Sequence, residues 1–177
     1  MIRRLVPHPA TPCDAVQRIE VDAARPSPGR LRLTYTLSGA IRDLTIPSVG
    51  QSTRADELWR TTCFETFVRP GGVEGYVELN LAPSTAWAAY VFDSYRDGMR
   101  DAQIAAPAIS VNAADDRLEL RAEVDFSPVP DVAGAPWRLA ISAVIEETSG
   151  RKSYWALAHP PDRPDFHAPA GFVLELP

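Results

Sequence analysis

Cysteine is scarce in this chain, with Cys13 and Cys63 the two among 177 residues. A disulfide framework is thereby excluded. Cys63 falls inside an alternating segment, so a reduced thiol and a cytoplasmic location are expected. Long apolar runs are missing: no stretch approaches the roughly 20 residues of a membrane-spanning helix. The opening MIRRLVPHPATP starts basic, but Pro7 and His8 interrupt it, and no signal peptide is expected. Positive charge is in short supply as well. A formal net charge of −5 argues against nucleic acid as a partner, because phosphate backbones need a basic surface. The chain has no GxSxG, P-loop, HExxH or dinucleotide fingerprint, and no CxxCH haem attachment. His8, His159 and His167 show no ligand spacing, so no metal is expected.

What remains is a globular composition, 45% hydrophobic and 23% charged, long enough for one domain over residues 1–177 with a sizeable core. The dominant pattern has period two. Leu31, Leu33, Tyr35 and Leu37 alternate with Arg32, Thr34 and Thr36. Leu118–Phe126 and Trp137–Ile145 alternate in the same way, as half-buried antiparallel strands do. Further strands are expected at Val16–Ala23, Ile41–Ile46, Trp87–Phe92, Ile109–Asn112, Ser153–Ala158 and Phe172–Leu176. Ser94–Ala102 is the one candidate for a short helix or irregular excursion, and Pro128–Pro136 and His159–Pro169 read as loops. About ten short strands with little helix predict an all-β fold, an antiparallel β-sandwich of jelly-roll-like form, with an up-and-down barrel as the alternative.

The segment with the most chemistry is Glu57–Asp93. Strands at Thr61–Arg69 and Gly75–Ala82 flank a break at Pro70, Gly71 and Gly72, as in a hairpin. Counting outward from that turn places Phe67 opposite Tyr76, Glu65 opposite Glu78 and Cys63 opposite Asn80. These six share one face, and Phe64, Thr66, Val68, Val77, Leu79 and Leu81 share the other, the core side. Directly opposed like charges destabilise a hairpin by roughly 0.2–1 kcal/mol, so a cation, a proton or a ligand is expected to compensate.

The runs LWRTTCFETFV, YVELNLAPSTAWAAYVFDSYRDGM and SYWALAHPPDRPDFH resemble the DOMON-like domains, which belong with the family 9 carbohydrate-binding modules. The resemblance extends from about Leu58 to Phe172. It implies a ligand-binding sandwich whose relatives take sugars or haem, and it matches Glu65 and Glu78 to the strand pair that lines the site.

The expected function is therefore a non-enzymatic binding module for a small polar ligand, a saccharide, with no nucleic-acid or membrane partner and no cofactor. A sugar presents apolar C–H faces and a rim of hydroxyls, so its site needs an aromatic platform beside carboxylates, amides and arginine. Trp59, Tyr76 and Trp155 are candidate aromatics, and Glu65, Glu78 and Asn80 candidate polar partners. Arg96 or Arg121 would neutralise the acids, and His159 and His167 stand in the Pro-rich loop as further candidates. Besides a purely structural or protein-interaction domain, two alternatives stay open. One is a haem-binding module, for which Met and His ligands would be needed and Met99 is the internal methionine. The other is a weak glycoside hydrolase using Glu65 and Glu78, which adjacent strands could hold about 5 Å apart. Directly paired acids would share one environment, whereas acid and nucleophile roles need different ones.

Overall fold

The computed structural model describes residues 2–177, and nearly all of its regular structure is antiparallel β. Among the described residues the strands are β1 (Ile2–Pro7), β2 (Val16–Ser27), β3 (Arg30–Gly39), β4 (Cys63–Pro70), β5 (Tyr76–Leu81) and β6 (Trp87–Phe92). They continue as β7 (Arg100–Asp101), β8 (Ala108–Ala113), β9 (Arg117–Asp125), β10 (Trp137–Glu146), β11 (Lys152–Ala156) and β12 (Leu174–Leu176). They form one curled sheet in the order β7-β6-β5-β4-β10-β11-β1-β2-β3-β9-β8, with β12 added to β10. The two halves meet at β1. Its residues Ile2–Leu5 pair with β2, and Val6 and Pro7 pass over to Ala156 and Trp155 of β11.

The curl brings the inner faces of the halves together as in a sandwich, and the alternation seen in the sequence fills the space between them. Leu31, Leu33, Tyr35 and Leu37 of β3 and Leu118, Leu120 and Val124 of β9 meet Phe64, Val77, Leu79, Leu139 and Ile141 from the other half. Tyr35 marks the contact. Its hydroxyl donates to the Glu65 carbonyl at 2.9 Å, lies 2.6 Å from Thr66 Oγ1, and its ring sits 4.8 Å from Phe64.

The two halves differ in how they meet solvent. β3 and β9 alternate buried and exposed, whereas all six residues of β5 are buried. The outer face of β4–β5–β6–β10 is buried because loops fold over it, and Phe67, Tyr76, Tyr90, Phe92 and Phe172 form a second, smaller core there.

The central hairpin keeps the predicted faces but not the predicted pairs. Val68 pairs with Val77, Phe67 with Glu78 and Glu65 with Asn80, two residues away from the register expected. The turn accounts for the shift. Gly71 donates to the Pro136 carbonyl, so the chain around it follows β10 rather than closing tightly on β5. A slip of two keeps the parity, and with it the face, which a slip of one would not. Glu65 and Glu78 are thus diagonal neighbours, not opposed ones.

Other expectations need correction. Ile41–Ile46 is no strand: Ile41–Asp43 is a single 3-10 turn, and Leu44 makes an isolated bridge to Glu147. Ser94–Ala102, expected as a short helix or an irregular excursion, is the second of these: a tight turn with Tyr95 and Arg96 at its tip, followed by β7. β1 and the four-residue helix Pro130–Ala133 were not expected at all.

Candidate functional site

On the outer face of β4 and β5 lies a cleft of about 370 Å³. The strands supply its floor. Glu65 of β4 and Glu78 of β5 open into it, with Val144 of β10 and Phe92 of β6 beside them. Its rim comes from three irregular segments: the turn bearing Trp59, the turn bearing Arg96 and Met99, and the Pro-rich loop bearing Pro164, Asp165, Phe166 and His167. Tyr154 of β11 closes one side.

The rim is held by one hub. Asp165 Oδ1 accepts from the Arg96 guanidinium at 2.7 Å and from the His167 backbone N–H at 3.2 Å, and Oδ2 accepts from the Tyr95 hydroxyl at 2.6 Å. Burial alone would raise the Asp165 carboxyl, but these donors hold it below its ordinary range. Arg96 sits in the left-handed region (φ 56°), which aims its backbone N–H at the Tyr76 hydroxyl, 3.1 Å away. Tyr76 Oη in turn lies 2.7 Å from His167 Nδ1. With the hydroxyl accepting from Arg96 and donating to Nδ1, the imidazole proton falls on Nε2, which faces Glu78 Oε2 at 3.7 Å. Burial, with the Arg96 charge second, pushes His167 down to about 4, so this ring is neutral at pH 7.

Glu65 belongs to a row of polar side chains across three strands. Ser142 of β10 lies opposite Glu65, and Asn80 of β5 lies opposite Glu65 on its other side. All three are buried, at 1%, 4% and 0% exposure in the order Ser142, Glu65, Asn80. Asn80 Nδ2 donates to Glu78 Oε1 at 2.8 Å. Ser142 Oγ, Glu65 Oε1 and Asn80 Oδ1 have no hydrogen-bond partner within the protein. Buried polar atoms almost always find partners, and leaving one without costs about 1–3 kcal/mol. Burial and then the neighbouring Glu78 charge hold the Glu65 carboxyl well above its ordinary range, while burial lifts Glu78 to about 7 against the Asn80 hydrogen bond and Arg96.

Of the residues singled out in the sequence, Trp59, Glu65, Glu78, Arg96 and His167 line the cleft. Asn80 and Tyr76 adjoin it through the bonds just described, Tyr76 stacking on Phe92 at 4.9 Å. Three others stand elsewhere. Arg121 pairs with Glu119 on β9, in the opposite half of the sheet. Trp155 points inward to the main core, its Nε1 on Ser153 Oγ at 2.9 Å. His159 caps the Val6 carbonyl at 2.9 Å and meets His8 edge-on at 5.0 Å. Sequence reasoning missed Ser142 and Tyr154. Ser142 was visible only as a small polar residue on the outward parity of Trp137–Ile145, and the pairing of β10 with β4 is what gives it meaning.

Of the residues the haem alternative would need, Met99 and His167 both line the cleft, and His167 has Nδ1 on the Tyr76 hydroxyl and Nε2 3.7 Å from Glu78 Oε2. Among the described residues no group of three or more His, Cys, Asp and Glu side chains is placed to hold a metal ion, and no helix is long and apolar enough to cross a membrane.

No protein-family model matches the chain, and no curated protein matches it. Among solved structures it is similar to a "putative carbohydrate-binding protein" from Bacteroides uniformis, with a TM-score of 0.67 and 16% sequence identity, over 97% of this chain and 84% of that one. At that identity the likeness is one of fold, and it extends over nearly the whole sheet.

Proposed function

We propose that this chain is a binding module for a small saccharide, seated on Glu65, Asn80 and Ser142 between the aromatic walls of the cleft. The observation that carries this reading is the row of buried polar atoms without partners, Ser142 Oγ, Glu65 Oε1 and Asn80 Oδ1, paired across adjacent strands, of which Glu65 lines the open cleft. Hydroxyl groups of a ligand would supply the missing partners. Trp59, Phe92, Tyr154 and Phe166 around them offer flat apolar surface for sugar C–H faces. The fold shared with the Bacteroides uniformis protein supports the reading, as does the DOMON-like resemblance of the strand pair that carries Glu65 and Glu78.

The test is a melting screen of monosaccharides and short oligosaccharides against wild type and a Glu65→Gln, Glu78→Gln double variant. A ligand at about 100 times its Kd stabilises the protein by about 2.7 kcal/mol. Stabilisation of wild type but not of the double variant is expected. Equal stabilisation of both would move the site elsewhere.

A hydrolytic reading has one observation in its favour. The diagonal register gives the two carboxyls different surroundings: Glu78 accepts from Asn80, while Glu65 Oε1 has no donor. Unequal surroundings are what acid and nucleophile roles need. Turnover of aryl glycosides by wild type, lost in each single Gln variant, would establish it.

A further inference from the structure

The cleft is short of positive charge. Among the described residues that line it, Glu65, Glu78 and Asp165 are acids and Arg96 supplies the guanidinium. Arg96 is already committed, its Nη2 lying 2.7 Å from Asp165 Oδ1. His167, the other base, has its Nδ1 on the Tyr76 hydroxyl. Glu65 and Glu78 therefore share a buried floor with no side-chain cation seated on either, and the nearest ring nitrogen is His167 Nε2 at 3.7 Å from Glu78 Oε2.

Glu78 Oε1 is occupied by Asn80 Nδ2. Glu65 Oε1 and Asn80 Oδ1 are buried without a donor, and Glu78 Oε2 has no donor closer than the imidazole edge. With Glu65 Oε2, that leaves acceptor oxygens on paired positions of β4 and β5, in or beside the cleft that Trp59, Phe92, Tyr154 and Phe166 also line. A neutral hydroxyl offers one donor to such a set. A primary ammonium offers three, carries the charge the floor lacks, and is attracted to aromatic faces as well.

We infer that the saccharide taken by this cleft is an amino sugar with a free amine, its ammonium group held by Glu65, Glu78 and the Asn80 side-chain carbonyl. This rests on the cleft being a saccharide site, and it adds the chemical class of the ligand. It also requires a proton to leave. The ionisable and charged groups facing Glu78 are Glu65 on β4, Tyr90 on β6, Arg96 in its turn, and Asp165 and His167 in the Pro-rich loop. Of these the Glu78 carboxyl is the acid that holds a proton at mildly acidic pH and gives it up when an ammonium is seated beside it.

Four probes separate the outcomes by thermal shift and calorimetry on the full chain: D-glucosamine, N-acetyl-D-glucosamine, D-glucose and cyclohexylamine, the last a six-membered ring with an ammonium and no hydroxyls. D-glucosamine is expected to bind at least tenfold tighter than D-glucose or N-acetyl-D-glucosamine. Glu78→Gln is expected to weaken D-glucosamine binding at least tenfold more than it weakens D-glucose binding. Calorimetry of wild type at pH 6 in buffers of different ionisation heat should show release of on the order of one proton on D-glucosamine binding, a readout independent of any variant. Equal binding of the neutral sugars, or no proton release, overturns the ammonium assignment and leaves the saccharide cleft standing. Binding of cyclohexylamine with no sugar bound overturns the saccharide reading and keeps the ammonium assignment. If no probe shifts the melting temperature, both fall.

Discussion

Glu78→Gln is the substitution whose effect can be worked out furthest from the structure. Gln preserves the shape, and its carbonyl still accepts from Asn80 Nδ2, so the change removes a charge and little else. The carboxyl it replaces is 5% exposed and is raised by burial from an ordinary 4.5 to about 7. A raised acid stabilises the fold fully below its unfolded value and loses that contribution as pH rises through the folded one. At pH 4 the carboxyl is neutral in both states, so variant and wild type should differ little. At pH 8 it is charged in both, and the folded state alone carries the desolvated charge. At about 1.4 kcal/mol per pH unit, the gap from 4.5 to about 7 makes the variant more stable than wild type by about 3 kcal/mol at pH 8. His167, depressed by burial to about 4, acts in the opposite sense: it destabilises the fold as pH falls below the ordinary histidine range. Wild type alone can therefore look flat with pH, and the difference between the two proteins is the quantity to read. Urea unfolding of both at pH 4, 6 and 8 gives it. A difference that stays constant to within about 0.5 kcal/mol would refute the reasoning, because it would mean that Glu78 titrates alike in both states.

Three further outcomes follow from other contacts. Tyr35→Phe removes the hydroxyl shared between the Glu65 carbonyl and Thr66 Oγ1 across the two halves. It should lower unfolding free energy by about 1–3 kcal/mol in urea melts. Asp165→Asn weakens the hub joining Arg96, Tyr95 and the Pro-rich loop. Because Arg96 is half exposed, global stability should change by less than about 1 kcal/mol, while amide exchange at residues 164–168 speeds up and ligand-induced stabilisation is lost. Cys63 is fully buried, and burial raises its thiol well above the ordinary range. Ellman's reagent should therefore modify it only on global unfolding, at a rate that follows urea.

Period-two alternation made β3 and β9 legible because each has one face in the core and one in water, and β10 was legible from its residue types although both its faces are buried. β4 and β5 carried a mixed signal for a physical reason: loops bury their outer face too, so polarity there does not report contact with solvent. The shared face of Glu65, Glu78 and Asn80 was readable from parity alone. Their pairing was not, because register depends on the turn, and the path of Gly71 along Pro136 is a long-range bond. The same limit hid Ser142, which meets Glu65 only through β10 pairing across a long stretch of chain. β1 was lost because its stability comes from β2 and β11 rather than from its own pattern, in which one residue of six is buried. Trp155 and Arg121 went astray for a related reason. Residue type marks an aromatic or a cation as fit for a sugar site, but the side of the sheet decides whether it reaches one.

The most direct test of the cleft is a proton–nitrogen correlation spectrum of labelled protein titrated with any sugar that raises its melting temperature. The expected result is a saturating shift of the Asn80 side-chain amide and the Trp59 indole N–H, with the core indole of Trp155 unmoved. Saturating shifts confined to other surfaces, such as the groove lined by Arg69, Pro136 and Arg138, with Asn80 unchanged, would contradict it.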